Sequence, residues 1–300
     1  MMRAYATGIC LGILLTASGA WPQSDSQNQP APPAQAAVTA GSADYSAVNC
    51  SGFVTGEKVQ DDVRLVSGEE SNSKVVFAVG DYVYLNKGAS QGVHDGDRFS
   101  VVRPDKDASD VRWFKWQEKL AGAMGTHYSD LGQLRVVHTQ PNTSTAEVTF
   151  ACVPMQRGDI VRPVQERPSP PFKPAAAFDR FAAPSGKSVG MLVYGRDFSQ
   201  LYGKFSVVYV NLGNKQGVSV GDYFRVFRYQ GSTSEAAVYL PDYQYKIYGF
   251  GSAPQAYKWN DLPREVLGEG VVVNVSPNSA TMFVTYSKQN MHAGDYVEIE

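Results

Sequence analysis

Val83–Arg103 reads VYLNKGASQGVHDGDRFSVVR, and Val208–Arg228 reads VYVNLGNKQGVSVGDYFRVFR. The two stretches align without a gap at an offset of 125 residues, with 12 of 21 positions identical. Identity at one constant offset marks an internal duplication, so a single repeated unit decides the fold.

Tyr84-Leu85 and Tyr209-Val210 close β-type runs. Gly88 and Gly213 then read as strand breaks whose backbone would need φ > 0. Gln-Gly-Val follows, with Gly92 and Gly217 ahead of Val93 and Val218, two side chains placed to plug the loop onto a core. Gly96-Asp97 and Gly221-Asp222 give a second tight turn. Phe99 and Val101, like Phe224 and Val226, resume a period-2 pattern that reads as a half-buried strand.

A second shared block starts at Leu131 and Leu267 and keeps an offset of 136. LGQLRVVHTQPNTSTAEVTF and RGDIV answer LGEGVVVNVSPNSATMFVTY and AGDYV. Pro141-Asn142 and Pro277-Asn278 mark hairpin turns between alternating strands. The connection 104–130 holds Trp113, Phe114 and Trp116 and has room for a short helix. The predicted class is all-β: two tandem small antiparallel β-barrel or sandwich domains, with short helical or irregular connections. They are expected to stand as separate domains on either side of a linker.

The chain order follows. Residues 1–20 read as a secretory signal peptide, with Arg3, the apolar run Ile9–Leu15 and a Ser18-Gly19-Ala20 cleavage site. Residues 21–44 are a disordered Pro/Ala/Gln-rich tether. The first β-domain covers 45–164, a Pro/Ala-rich linker 165–188, and the second β-domain 189–300. The linker's Pro168-Ser169-Pro170-Pro171 predicts an extended, stiff spacer. An exported protein of this kind would reside in the periplasm or outside the cell, possible outer-membrane association included, with no transmembrane segment after signal cleavage. A formal charge of −2 without basic runs argues against nucleic acid as a partner. Cys50 and Cys152 remain after cleavage. In an oxidising compartment they form a candidate disulfide, and two reduced buried thiols are the alternative.

No catalytic, cofactor or metal site stands out. His94-Asp95-Gly96-Asp97 resembles part of a calcium loop, but the second copy has Ser219-Val220-Gly221-Asp222, which favours turn chemistry. Gly186-Lys187-Ser188 lacks the upstream glycine of a phosphate loop. Arg103 and Arg228 suit either a rim carboxylate or an anionic ligand. Asn86 and Asn211 read as loop caps. The four histidines, 94, 127, 138 and 292, show no metal spacing and do not match between the copies. The candidate interaction surface is the long second connection, with Tyr239, Tyr243, Tyr245, Tyr248, Phe250, Tyr257 and Trp259. Such rings suit sugar stacking or a protein interface, and equally a lid over a barrel end.

The Gly-x-x-Gln-Gly-Val-x-x-Gly-Asp-x-Phe-x-Val-x-Arg signature, the Leu-Gly block and the closing Gly-Asp-x-Val together resemble the C-terminal domain family of the flagellar assembly protein T. The resemblance covers about 80–162 and 205–299 and implies a small β-module of a periplasmic ring component, without catalytic residues. The function expected is that of a non-enzymatic envelope protein that binds or scaffolds another envelope protein. Binding of glycan or peptidoglycan in the cell wall through the aromatic connection 229–259 is the first alternative, and an envelope enzyme the second.

Overall fold

Val83, Leu85, Phe99 and Val101 are all buried, and so are their counterparts Val208, Val210, Phe224 and Val226. Side chains two apart on a strand share a face, so this spacing alone commits each copy to one apolar sheet face. The computed structural model describes residues 41–106, 112–174, 178–229, 246–247, 255–256 and 263–300.

In the first half, α1 (Tyr45–Asn49) and β1 (Phe53–Thr55) lead into β2 (Leu65–Gly68), β3 (Val76–Phe77), β4 (Tyr82–Leu85) and β5 (Arg98–Asp105). Then come α2 (Gln117–Met124), β6 (Thr126–Thr139), β7 (Ser144–Ala151), β8 (Met155–Gln156) and β9 (Ile160–Pro163). The second half runs β10 (Val189–Gly195), β11 (Leu201–Tyr202), β12 (Val207–Val210) and β13 (Tyr223–Arg228). It continues with β14 (Lys246–Ile247), β15 (Gln255–Ala256), β16 (Glu265–Ser276), β17 (Ser279–Ser287), β18 (Met291–His292) and β19 (Tyr296–Ile299).

The first half is a seven-stranded sheet in the order β2-β4-β7-β6-β5-β9, with β1 added to the start of β6. The second is a closed barrel in the order β10-β12-β17-β16-β13-β19. The strand order is the same in both. The small pairs β3–β8 and β11–β18 also correspond. The hairpins at Pro141-Asn142 and Pro277-Asn278 join β6 to β7 and β16 to β17.

Closure differs, which corrects the expectation of two like barrels or sandwiches. Seven-residue β10 is long enough to pair with β12 at one end and with β19, from Val189↔Glu298 to Met191↔Tyr296, at the other. Four-residue β2 pairs with β4 alone. Its approach to β9 is limited to a single bridge, Arg64↔Ile160, and a few backbone bonds such as Leu65 to Asp159 at 3.0 Å. The residues just before β2 turn outward instead: Asp61 pairs with Arg64, and Asp62 with Lys87.

The repeated loop holds one surprise. Gly92, Gly96, Gly217 and Gly221 have φ between 81° and 93°, where glycine is favoured. Gly88 and Gly213 do not, with φ of −140° and −137°. They are glycine because the loop presses on the hairpin. A Cβ at Gly88 would sit 2.6 Å from the Thr143 carbonyl oxygen, and one at Gly213 would sit 2.6 Å from the Ser279 nitrogen.

Ala40–Glu300 forms one compact unit. The barrel's core cluster contains Val54, Phe114 and Met124 from the first half, with Trp113 and Leu120 packed against it. The Pro-rich segment after β9 is extended, but it lies along the protein. Ser42 bridges Pro171, the Phe172 N–H donates to the Gly41 carbonyl at 2.6 Å, and Phe172 stacks on Phe283 at 5.8 Å. The stiff spacer expected between separate domains instead lies along two halves that share a core cluster.

Candidate binding cleft between the halves

The polar residues of the duplicated signature are engaged internally, and in the same way twice. Asp97 accepts from the His94 N–H and Asp222 from the Ser219 N–H, each at 2.8 Å. Arg103 grips Asp159 through two bonds of 2.7 and 2.9 Å, and Arg228 grips Asp295 at 2.7 and 2.8 Å. These forks match planar guanidinium to planar carboxylate. Burial opposes the charge on Arg228, and Asp295 more than offsets it, raising its pKa. Val93 and Val218 are buried under their loops. Asn86 and Asn211 reach across to the neighbouring strand, accepting from the Arg64 and Met191 N–H groups at 2.7 Å each. Among the described residues, no group of three or more His, Cys, Asp or Glu side chains is placed to hold a metal ion. The aromatic candidates Tyr239, Tyr243, Tyr245, Tyr248, Phe250, Tyr257 and Trp259 lie outside the described residues.

What the copies do not share meets at the seam between them. Residues 50–55 lie against the outer face of β12 and β17. Three barrel hydroxyls hold their carbonyls: Tyr209 donates to Ser51 at 2.8 Å, Ser279 to Val54 at 2.6 Å, and Thr281 to Gly52 at 3.3 Å. Gly52 has a φ of 64°, and a Cβ there would lie 2.8 Å from the Tyr128 carbonyl oxygen. Its N–H donates to Asp130, which also receives both arms of Arg167 at 2.6 and 3.0 Å. Cys50 and Cys152 form a disulfide that ties this segment to the end of β7 across 102 residues.

His127, at the start of β6, completes the seam. It is buried, and its Nε2 lies 2.8 Å from the Tyr209 hydroxyl. That hydroxyl has one proton, which goes to the Ser51 carbonyl, an acceptor only. Nε2 therefore carries the imidazole proton, and Nδ1 presents a lone pair. Nδ1 is buried and has no hydrogen-bond partner among the described residues. Burial pushes the His127 pKa down to about 4, against the smaller pull of Asp105, Asp130 and Asp197. Burial also raises the Tyr194 and Tyr209 hydroxyls, so all three groups are neutral at neutral pH. Leaving an acceptor buried without a partner costs about 1–3 kcal/mol.

His127 also lines a cavity of about 470 Å³ between the halves, together with Tyr194, Phe198, Gln117, Gly125 and Thr126. Tyr194 and Phe198 stack at 5.4 Å, and both meet the imidazole edge-on, at 5.9 and 5.2 Å. Gln117 fixes one wall. Its side chain accepts from the Trp113 N–H at 2.8 Å and donates to the Val193 carbonyl at 2.9 Å. The rim carries Asp105 and Glu118 as well as Lys106 and Arg112, so neither sign of charge dominates. An unpartnered acceptor thus lies buried on a residue that lines the cavity, beside two aromatic rings.

No protein-family model matches this chain, and no curated protein matches it by sequence.

Sequence reasoning set His127 aside because it has no equivalent in the second copy. The same offset places Pro263 there. A group that serves a contact between unlike faces of two repeats has no reason to recur. The readable signal was elsewhere: Val271-Val272-Val273 stands where the first copy has Arg135-Val136-Val137. An unbroken apolar run in place of alternation indicates a strand covered on both faces.

Proposed function

We propose that this chain is a non-enzymatic envelope protein, exported to the periplasm or beyond, which binds and positions another envelope protein. The observation that carries this reading is the internal use of the duplicated polar residues. Asp97, Asp222, Arg103 and Arg228 all bond to their own module, so the repeat contributes shape rather than reactive groups. The seam then welds two such modules into one body with a fixed surface, which suits a scaffold. The Cys50–Cys152 disulfide supports export, since such bonds persist in oxidising compartments. The resemblance of the duplicated signature to the C-terminal domain family of the flagellar assembly protein T supports a role in an envelope assembly.

Crosslinking in fractionated cells tests the reading. A discrete protein partner should recur in the envelope fraction. A chain that stays monomeric, with no recurrent crosslink, overturns it. Retention on purified cell-wall sacculi, lost when Tyr243, Tyr245 and Tyr248 become Ala, would replace it with glycan binding.

A further inference from the structure

We infer that the cleft between the halves is a binding site for a small uncharged ring that carries an O–H or N–H donor at its edge. The ring would set that donor on His127 Nδ1 and its face against Phe198 and Tyr194. The inference does not depend on the scaffold reading.

Three observations converge on it. The cavity, about 470 Å³, falls within the range of about 300–1,000 Å³ common for small-molecule pockets. Tyr194, Phe198 and His127 give it one aromatic side, where Phe198 is half-buried. The third is the unsatisfied Nδ1. Tyr209 gives its only proton to Ser51, so it fixes the Nε2–H tautomer and leaves Nδ1 able to accept but not to donate. Buried polar atoms in folded proteins nearly always have a partner, and one that lacks it on a residue lining a cavity calls for an explanation. A ligand hydroxyl or N–H supplies it.

The chemistry also sets the ligand's character. A carboxylate or phosphate would bring a lone pair against a lone pair at Nδ1. A cation gains little, because the rim acids Asp105 and Glu118 are offset by Lys106 and Arg112. A neutral ring with a donor and an apolar face remains. A saccharide meets this description through its hydroxyls and C–H face, and a neutral heteroaromatic through its N–H and π face.

The test is the ¹⁵N spectrum of the histidine side chains in the full chain, with N-acetylglucosamine and indole as separate probes. Without a probe, His127 should show the Nε2–H tautomer. A bound probe should move the Nδ1 resonance towards the hydrogen-bonded range and leave Nε2 in place. Response to the sugar alone assigns a saccharide, response to indole alone assigns a flat heteroaromatic, and response to both supports the shared chemistry. Phe198→Ala removes a half-buried ring and should weaken the response about tenfold while the tautomer persists. An Nδ1–H tautomer in the free protein, or an Nδ1 resonance that neither probe moves at millimolar concentration, overturns the inference.

Discussion

Strands β4 and β12 occupy the same place in the repeat, yet β4 buries one face and β12 buries two. In β4, Val83 and Leu85 are buried while Tyr82 and Tyr84 are half-exposed. In β12, Val207, Val208, Tyr209 and Val210 are all buried. The hairpins repeat the contrast: β7 alternates from Ser144 to Val148, whereas β17 is buried continuously from Ser279 to Val284. Inward-facing residues fill each module in the same way. The outward face of the barrel is covered by residues 50–55, by Ala43 and Val48 at α1, and by Phe172, which pack on Val207, Tyr223, Val271, Val273 and Phe283. Duplication supplied two copies of one fold, and divergence of one outer face joined them.

The joining is strongest at its covalent point, so the largest effect should come from Cys50→Ser with Cys152→Ser. A loop of about 100 residues gives about 4–5 kcal/mol by the chain-entropy relation. Denaturant titration should show that loss, and the seam should open before the barrel. Amide exchange at Ser51 to Thr55 reports the seam directly. If those amides stay as protected as the barrel's, the disulfide is not what holds the segment.

Phe114→Ala comes next. The ring is buried in the barrel's core cluster and lies against Gly294, where a Cβ would come within 2.8 Å of it. Truncating a buried Phe typically costs about 3–5 kcal/mol. The loss should fall on the barrel's own stability, although the residue belongs to the first half. A loss confined to the first half would mean that the shared core is two separate cores.

The part of the pH dependence that is lost with His127 reports the seam, because His292 in the barrel, also shifted down by burial, contributes to both proteins alike. In the unfolded chain His127 takes up a proton near its ordinary value of 6.5, and in the fold only near 4. Between those values the unfolded chain binds more protons, so stability falls as pH drops through the window. The total is about 3 kcal/mol. Denaturant midpoints at pH 7 and 4.5 should separate for the wild type, and His127→Gln should flatten the slope. Equal slopes for the two proteins would place the titration elsewhere.

The repeat, the hairpins at Pro141-Asn142 and Pro277-Asn278, and the plugs Val93 and Val218 were legible in sequence because local chemistry sets them. The role of Gly88 and Gly213 was not. Glycine reads the same whether it serves a positive φ or a close approach, and here the hairpin carbonyls decide. The site was less legible still. His127, Tyr209 and Ser51 are separated by 76 residues or more and meet only through packing that local pattern does not encode. Barrel closure lies between these cases. It turns on whether the strand before β4 or β12 is long enough to reach a second neighbour, and strand ends are weakly marked in sequence.

That last difference gives the smallest effect and the sharpest use of the comparison. Leu65 and Leu192 are equivalent, and each donates its N–H across the closing edge of its own module, to Asp159 at 3.0 Å and Asp295 at 2.9 Å. Local geometry at the bond is nearly the same, so protection should differ only through the surrounding ladder. In the barrel, β10 and β19 pair over three further residues. In the first half, the bond is flanked by one bridge, by the backbone bonds Gly158 to Leu65 and Val161 to Val63, and by the part-exposed charged residues Asp61, Asp62 and Arg64, which leave this edge open to solvent. Native-state hydrogen exchange should be at least about tenfold faster at Leu65 than at Leu192, reflecting about 1.4 kcal/mol in local opening. Replacing Asp62 with Val should narrow that gap, because it restores an apolar residue where the barrel has Val189. If the two amides already exchange alike, the open sheet behaves as a barrel in solution and strand length does not govern closure.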